Sequence, residues 1–291
     1  MFAFTEQLKN AEIIEKDSPL YPKAFLHLSD APQRLYAVGN TSLLKEKTFT
    51  VVGSRRTPAA ALKIGAQIAK DLSSAFVIVT GTADGGDGAA IEGALAGSGR
   101  VICLLAGGFS AIPQGNLPLL KRVAERGLLL SPHAYDTPVR VFSYEYRNKL
   151  LATISDGVLV LGAAEKSGAL ITAKYAKNLQ KRIFALPYAP GAAAGAGCNQ
   201  LIKKGGYLTE TAEDIFNILG VEITQTQQPS VSLTADEEKM YAALKDMSEG
   251  HLTELAIKAG IPPYKARAVL SALEVKGLAV ALGGNMFAPI R

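Results

Sequence analysis

The sequence contains no tryptophan, two cysteines, three histidines and four methionines among its 291 residues. Cys103 falls in an apolar run and Cys198 in a glycine-rich one, which suits free thiols and excludes a disulfide framework or a cysteine-based metal cluster. His27, His133 and His251 are widely scattered with no second ligand at metal spacing, so neither a metal nor a catalytic imidazole is expected. No apolar run approaches the roughly 20 residues needed to span a bilayer. The opening MFAFTEQLKN lacks the basic stretch and following apolar stretch of a signal peptide. These absences predict a cytoplasmic protein with no membrane association. No GxxxxGK[ST] loop and no GxSxG elbow occur, which argues against P-loop nucleotide binding and against an α/β-hydrolase nucleophile.

Apolar residues, by contrast, are plentiful at 48%, against 20% charged, enough for one large core and a small second one. Short β-branched runs, each followed by a stretch with helical period, recur from Phe49 to about Leu219: FTVVG, FVIVT, RVICLLA, GLLLS, DGVLVLG and RIFALP. They are apolar throughout, as parallel strands covered on both faces are. The fold class predicted is α/β, a doubly wound, extended Rossmann-like and mostly parallel sheet, with ligands beyond the carboxyl ends of its strands. Residues 1–45 read as a short extension, 46–220 as the Rossmann-like domain, and the polar stretch 221–234 as a linker. Residues 235–291, with helical segments near 235–246, 251–259 and 264–276 and a hairpin tip at Gly283-Gly284, spell a small winged helix.

Net charge is +5, and since Ala235 to the C-terminus holds seven basic and seven acidic residues, the excess belongs to the larger domain. That favours a polyanionic partner there and argues against a basic DNA-binding tail.

Three loops at predicted strand ends carry the site signal. The first strand runs into Gly53-Ser54-Arg55-Arg56-Thr57-Pro58 and then a helix near Ala59. Glycine permits close backbone approach, a helix N-terminus offers unpaired N–H groups to an anion, and arginine adds bidentate phosphate contacts. The same turn also reads as a plain strand-to-helix junction capped by Thr57. The second strand leads into Thr80-Gly81-Thr82-Ala83-Asp84-Gly85-Gly86-Asp87-Gly88, which is not the dinucleotide fingerprint because the first strand leads to GSRR instead. Here Asp87 as a helix cap is the plainer alternative. The fifth strand leads into Glu165-Lys166-Ser167-Gly168-Ala169-Leu170-Ile171-Thr172. Three such loops converge on one crevice. Tyr144-Glu145-Tyr146-Arg147-Asn148-Lys149 mixes aromatic and basic residues as strand-binding grooves do, although a surface helix with a buried tyrosine reads the same way. Lys174, Lys177, Lys181 and Arg182 form a basic run, which elsewhere marks a solvated face.

These pieces, in this order, resemble the DNA-processing proteins called DprA or Smf. The resemblance rests on Tyr21-Pro22 through Leu35–Asn40, GSR at 53–55, TGTADGGD at 80–87, Pro113 with Asn116, Gly127 to Ser131, Phe142 with Arg147-Asn148-Lys149, Ser167-Gly168 with Thr172-Ala173, and Gly197–Ile202 before Gly205. It implies a homodimer that binds single-stranded DNA and loads the RecA recombinase in natural transformation, with a contact to single-strand-binding protein. It implies no covalent chemistry and no cofactor. Carried over residue by residue, Gly53, Ser54, Arg55, Gly81, Arg147, Asn148, Lys149, Ser167, Gly168, Thr172 and Asn199 line or shape the DNA groove. Arg56, Lys174 and Lys177 join them on charge and position. The chain departs from the family pattern at Gly86, Ile91, Pro132, Gly162 and Tyr188. Two other readings stay open: a nucleotide phosphoribohydrolase-like enzyme, whose PGGxGTxxE motif is missing here, and a winged helix that reads duplex DNA with Lys265, Arg267 and Lys276.

Overall fold

A computed structural model of the chain describes residues 2–221 and 233–290 and divides it into two compact units, Met1–Ile223 and Thr224–Arg291. The first unit runs α1 (Phe2–Lys9), β1 (Glu12–Glu15), β2 (Arg34–Gly39), β3 (Thr48–Val52), α2 (Ala59–Leu72), β4 (Val77–Thr80), α3 (Gly86–Ala96), β5 (Val101–Leu104) and α4 (Leu117–Arg126). It continues with β6 (Leu128–Ser131), α5 (Val141–Ile154), β7 (Gly157–Val160), α6 (Ala169–Asn178), β8 (Arg182–Ala185), α7 (Ala196–Lys203), β9 (Tyr207–Leu208) and α8 (Ala212–Leu219). All six strands read from sequence are present.

The nine strands form one sheet in the order β1-β2-β6-β5-β4-β3-β7-β8-β9. From β6 to β9 every pairing is parallel. The chain winds outward from β3 through β4 and β5 to β6, then returns to lay β7 on the other side of β3. The crevice above β3 and β7 is therefore the point where winding reverses, the place such sheets bind ligands.

Alternate strand residues feed opposite cores, as the two-residue period of a strand requires. Phe49, Val51, Ile78, Cys103, Leu129, Leu159 and Phe184 pack with α2, α3, α4 and α8 on one face. Val52, Val79, Ile102, Leu130, Val158 and Ala185 pack with α5, α6 and α7 on the other. Each large side chain so buried contributes roughly 1.5–3 kcal/mol, which is why strands with no exposed face read as unbroken apolar runs.

Residues 1–45, read as an extension, supply two further strands of this sheet. β1 pairs antiparallel with β2, and β2 antiparallel with β6. β2 shows the in-and-out burial of an edge region, and Tyr21 and Phe25 cover one of the two cores.

The second unit comprises α9 (Ala235–Met247), β10 (Gly250–His251), α10 (Leu252–Ala259), α11 (Pro263–Val275), β11 (Ala279–Gly283) and β12 (Met286–Pro289). Thr234 and Glu237 form a capping box that starts α9, and Gly260 ends α10 in the left-handed region. Its small sheet has the order β10-β12-β11, closed around a core that includes Met240, Leu244, Leu255, Leu270, Leu273 and Phe287. The linker read at 221–234 lies outside the described residues except at its ends.

Candidate functional site

The loops after β3, β4 and β7 meet above the reversal point. After β3, the Ser54 N–H donates to the Gly162 carbonyl at 2.8 Å, binding this loop to the end of β7, and the Thr57 hydroxyl donates to the Ser54 carbonyl at 2.8 Å. Thr57 thus closes the loop on itself, while α2 begins after Pro58 with no side-chain cap. Its first N–H groups stay free of side-chain acceptors, the condition for holding an anion. Gly53 is pressed against Gly86 at the start of α3: a Cβ on Gly86 would stand 2.3 Å from the Gly53 Cα. The departure at Gly86 therefore has a local cause, the close approach of α3 to the β3 loop.

After β4, Gly81 makes room for a buried ion pair. A Cβ there would lie 1.7 Å from Arg147 Nη1 and 2.2 Å from Asp87 Oδ2. Asp87 and Arg147 stand 3.7 Å apart, with both side chains less than a tenth exposed. Asp87 also accepts from the backbone N–H of Gly53 and of Ala83, each at 3.4 Å. It is not the helix cap of the plainer reading, since Gly85 occupies that position. Burial pushes the Asp87 carboxyl above its ordinary value, against the opposing pull of Arg147 and the two amides.

α5 contributes Tyr144, Arg147 and Asn148. The Asn148 amide donates to the Gly168 carbonyl at 3.1 Å, tying α5 to the start of α6. Arg147 Nη1 donates to the Leu104 carbonyl at 3.3 Å, while its Nε, although buried, has no partner. The buried Thr172 hydroxyl on α6 also has none. An unpartnered buried polar atom costs about 1–3 kcal/mol, and two beside one cleft mark where a polar ligand regains that energy.

The cleft between these elements holds about 430 Å³ and takes Arg55 and Arg56 from the loop after β3, Arg147 from α5 and Lys166 from the loop after β7. Arg55 and Arg56 are exposed and make no ion pair among the described residues. A side chamber of about 200 Å³, floored by Leu105–Gly108, shares Arg55, Ala83, Tyr144 and Arg147 with it.

Of the residues expected from sequence, Gly53, Ser54, Arg55, Arg56, Arg147, Asn148, Ser167, Gly168 and Thr172 line this cleft, and Gly81 lies beneath it. Four do not. Lys149 is held by Asp30, Nζ to Oδ1 at 2.5 Å. Lys174 and Lys177 face a different groove of about 530 Å³, with Arg182 and Lys204 above a floor that includes Leu170, Ile183 and Leu201. Asn199 clamps the backbone of Tyr188, accepting from its N–H at 3.0 Å and donating to its carbonyl at 2.8 Å. The Tyr188 hydroxyl donates to the Leu161 carbonyl at 2.7 Å, and a Cβ on Gly162 would meet Thr57 Oγ1 at 2.5 Å and that hydroxyl at 2.9 Å. Sequence reasoning passed over Lys166, Tyr144 and Asp87 as site residues, although each lies inside a segment it singled out.

Comparison with known proteins bears on the family and the fold. A family model described as DNA recombination-mediator protein A matches residues 12–220. The DNA processing protein DprA of Bacillus subtilis is 34% identical over 230 residues, covering 78% of this chain and 77% of that protein. Among solved structures, DprA of Streptococcus pneumoniae is similar with a TM-score of 0.68 at 28% identity, covering 74% of this chain and 77% of that one. DNA processing protein A of Helicobacter pylori, described for a unique single-stranded DNA binding mode, matches with a TM-score of 0.65 at 31% identity, covering 72% of this chain and 97% of that one.

Proposed function

The chain belongs to the DNA recombination-mediator protein A family, and from that membership we propose that its cleft grips the sugar-phosphate backbone of single-stranded DNA. The observation that carries the reading is Arg147, paired with Asp87 on one edge and with its buried Nε unpartnered, in the lining of a cleft that Arg55, Arg56 and Lys166 share. Guanidinium groups and loop N–H groups recognise phosphate oxygens irrespective of base, so contact is to the strand and not to its sequence. Tyr144, at the mouth shared by cleft and side chamber, supplies an aromatic face for a base.

The reading is of a binding protein and not an enzyme. Asp87 is the one acidic residue among the described residues lining the cleft, and it is occupied by Arg147 and two amides. No group of three His, Cys, Asp or Glu side chains suited to a metal occurs among the described residues, and none of their helices is long and apolar enough to cross a membrane. We further propose that the protein acts in the cytoplasm as a homodimer and loads RecA onto strands otherwise covered by single-strand-binding protein. The second unit, as a winged helix with balanced charge, serves protein contacts: its exposed Tyr264 and Val275 on α11 and Leu282 on β11 are apolar, and Arg267 is engaged by Asn285 at 2.7 Å.

The test is a titration of labelled oligo-dT at several salt concentrations. Binding should weaken steeply with salt, because each neutralised phosphate releases counterions with a logarithmic slope of about −0.7 per contact. Duplex of equal length should bind more weakly. A flat salt response, or equal affinity for duplex, would reject the reading.

A further inference from the structure

We infer that Asp87 is a positioning residue for the cleft, one carboxylate that holds Arg147 and the two loops in the arrangement that receives a phosphate. The inference rests on the proposed DNA-binding reading for what the cleft receives, and on the geometry of the free protein for the rest.

Three separately folded segments end on this carboxylate. Its Oδ1 accepts from Gly53 at the end of β3, and its Oδ2 accepts from Ala83 in the loop after β4 and faces Arg147 on α5. Arg147 makes only one further hydrogen bond, to the Leu104 carbonyl, while the β3 and β4 loops are also joined beside the carboxylate by the Gly86 N–H donating to the Ser54 carbonyl at 3.2 Å. The contact is loose for an ion pair, 3.7 Å, and the amide bonds are long, 3.4 Å each. A buried carboxylate shared among three donors at such distances is a poor device for stability. It is a good one for aiming a guanidinium, because it engages Nη1 and leaves Nε directed elsewhere. The cleft thereby gives up one unit of positive charge on its most buried arginine. If charge alone mattered, an acidic side chain in this position would only weaken the binding of a polyanion.

Two variants separate aim from charge. Asp87→Asn keeps the shape, removes the negative charge and retains one acceptor. Gly81→Ala changes no charge, but its methyl group falls between the Asp87 carboxylate and the Arg147 guanidinium. If Asp87 positions the arginine, both variants lose about tenfold or more in oligo-dT affinity. Their salt slope should stay within one unit of the parent protein, because the exposed cations are untouched. In an Arg147→Gln background, Asp87→Asn should cost less than it does in the parent protein, because the part of its effect that runs through the arginine is already gone. Tighter binding by Asp87→Asn, parent-like binding by Gly81→Ala, or a full additional loss in the Arg147→Gln background would each overturn the inference.

A readout without DNA keeps the two claims apart. Hydrogen exchange of the unliganded full-length protein, followed by mass spectrometry over peptides near 50–58 and 79–88, should speed up in both variants, with peptides from α8 unchanged. If the parent protein fails to bind oligo-dT, the functional reading falls while exchange still decides whether Asp87 holds the loops. Unchanged exchange in both variants removes the positioning role even where DNA binds. Should Asp87→Asn fail to give a cooperative melt, the charge-neutral Gly81→Ala variant decides.

Discussion

Two basic hollows share α6, and they differ in what lies beneath the charge. The cleft takes Ala169 and Thr172 from the helix, and the groove takes Leu170, Ala173, Lys174 and Lys177. In the cleft, the cations surround loop backbone and two buried polar atoms without partners. In the groove, two of the charges are already used: the partly buried Lys181 donates to the carbonyls of Thr153 and Ser155 at the end of α5, and the exposed Arg182 donates to the Ile218 carbonyl. Burial lowers the Lys181 ammonium from its ordinary value, against the weaker opposing pull of Asp156. What remains is exposed lysine over apolar carbon. Count of charge is similar on both sides, so the difference is preorganisation: Arg147 is already held by Asp87, whereas Lys174 and Lys177 have no ion pair to hold them among the described residues.

The comparison breaks most sharply at its strongest point. Arg55→Ala with Arg147→Ala should reduce oligo-dT affinity by at least about 100-fold, since hydrogen bonds to charged groups contribute about 1.5–3 kcal/mol each. Equal loss for poly-dA and poly-dT would mark backbone contact, and affinity within threefold of the parent would mean that the strand lies elsewhere. Thr172→Val removes one hydroxyl and keeps the volume, so fluorescence anisotropy should show roughly a five- to tenfold loss, in line with about 1 kcal/mol for a neutral hydrogen bond. No loss would show that the unpartnered hydroxyl is not a ligand contact. Lys174→Ala with Lys177→Ala should cost no more than about threefold, and that difference should disappear at high salt, as for screened surface charge. A larger, salt-resistant loss would make the groove part of the strand's path. Lys149→Ala should change DNA affinity least, by less than about twofold, because its ammonium is engaged by Asp30. A tenfold loss in that variant would show that the ion pair opens when DNA binds.

Legibility in the sequence followed the range of the forces involved. Strands β3 to β8 were readable because burial on both faces leaves each as a continuous apolar run. β1 and β2 were passed over because EIIE is too short to show a period and RLYAVG is neither an unbroken apolar run nor a regular alternation. β9 has two residues and exists only because β8 offers it a partner. The loop residues of the cleft were readable because glycine and arginine at strand ends have a local meaning. Lys149, Lys174, Lys177 and Asn199 were not separable from them, since one turn of helix or a distant carboxylate decides which way a side chain faces. Nothing near Lys149 in sequence points to Asp30, 119 positions away.

By itself, the order of residues determined the doubly wound, mostly parallel sheet and the three strand-end loops. Hydrophobic period and glycine placement act within a few residues of chain. Only the folded chain decided which cations share a cleft, and that Asp87 would spend its charge on Arg147 rather than on the start of its own helix. Those outcomes depend on the packing of α3, α5 and α6 against strands remote in sequence, where an ångström separates a ligand contact from a structural tie.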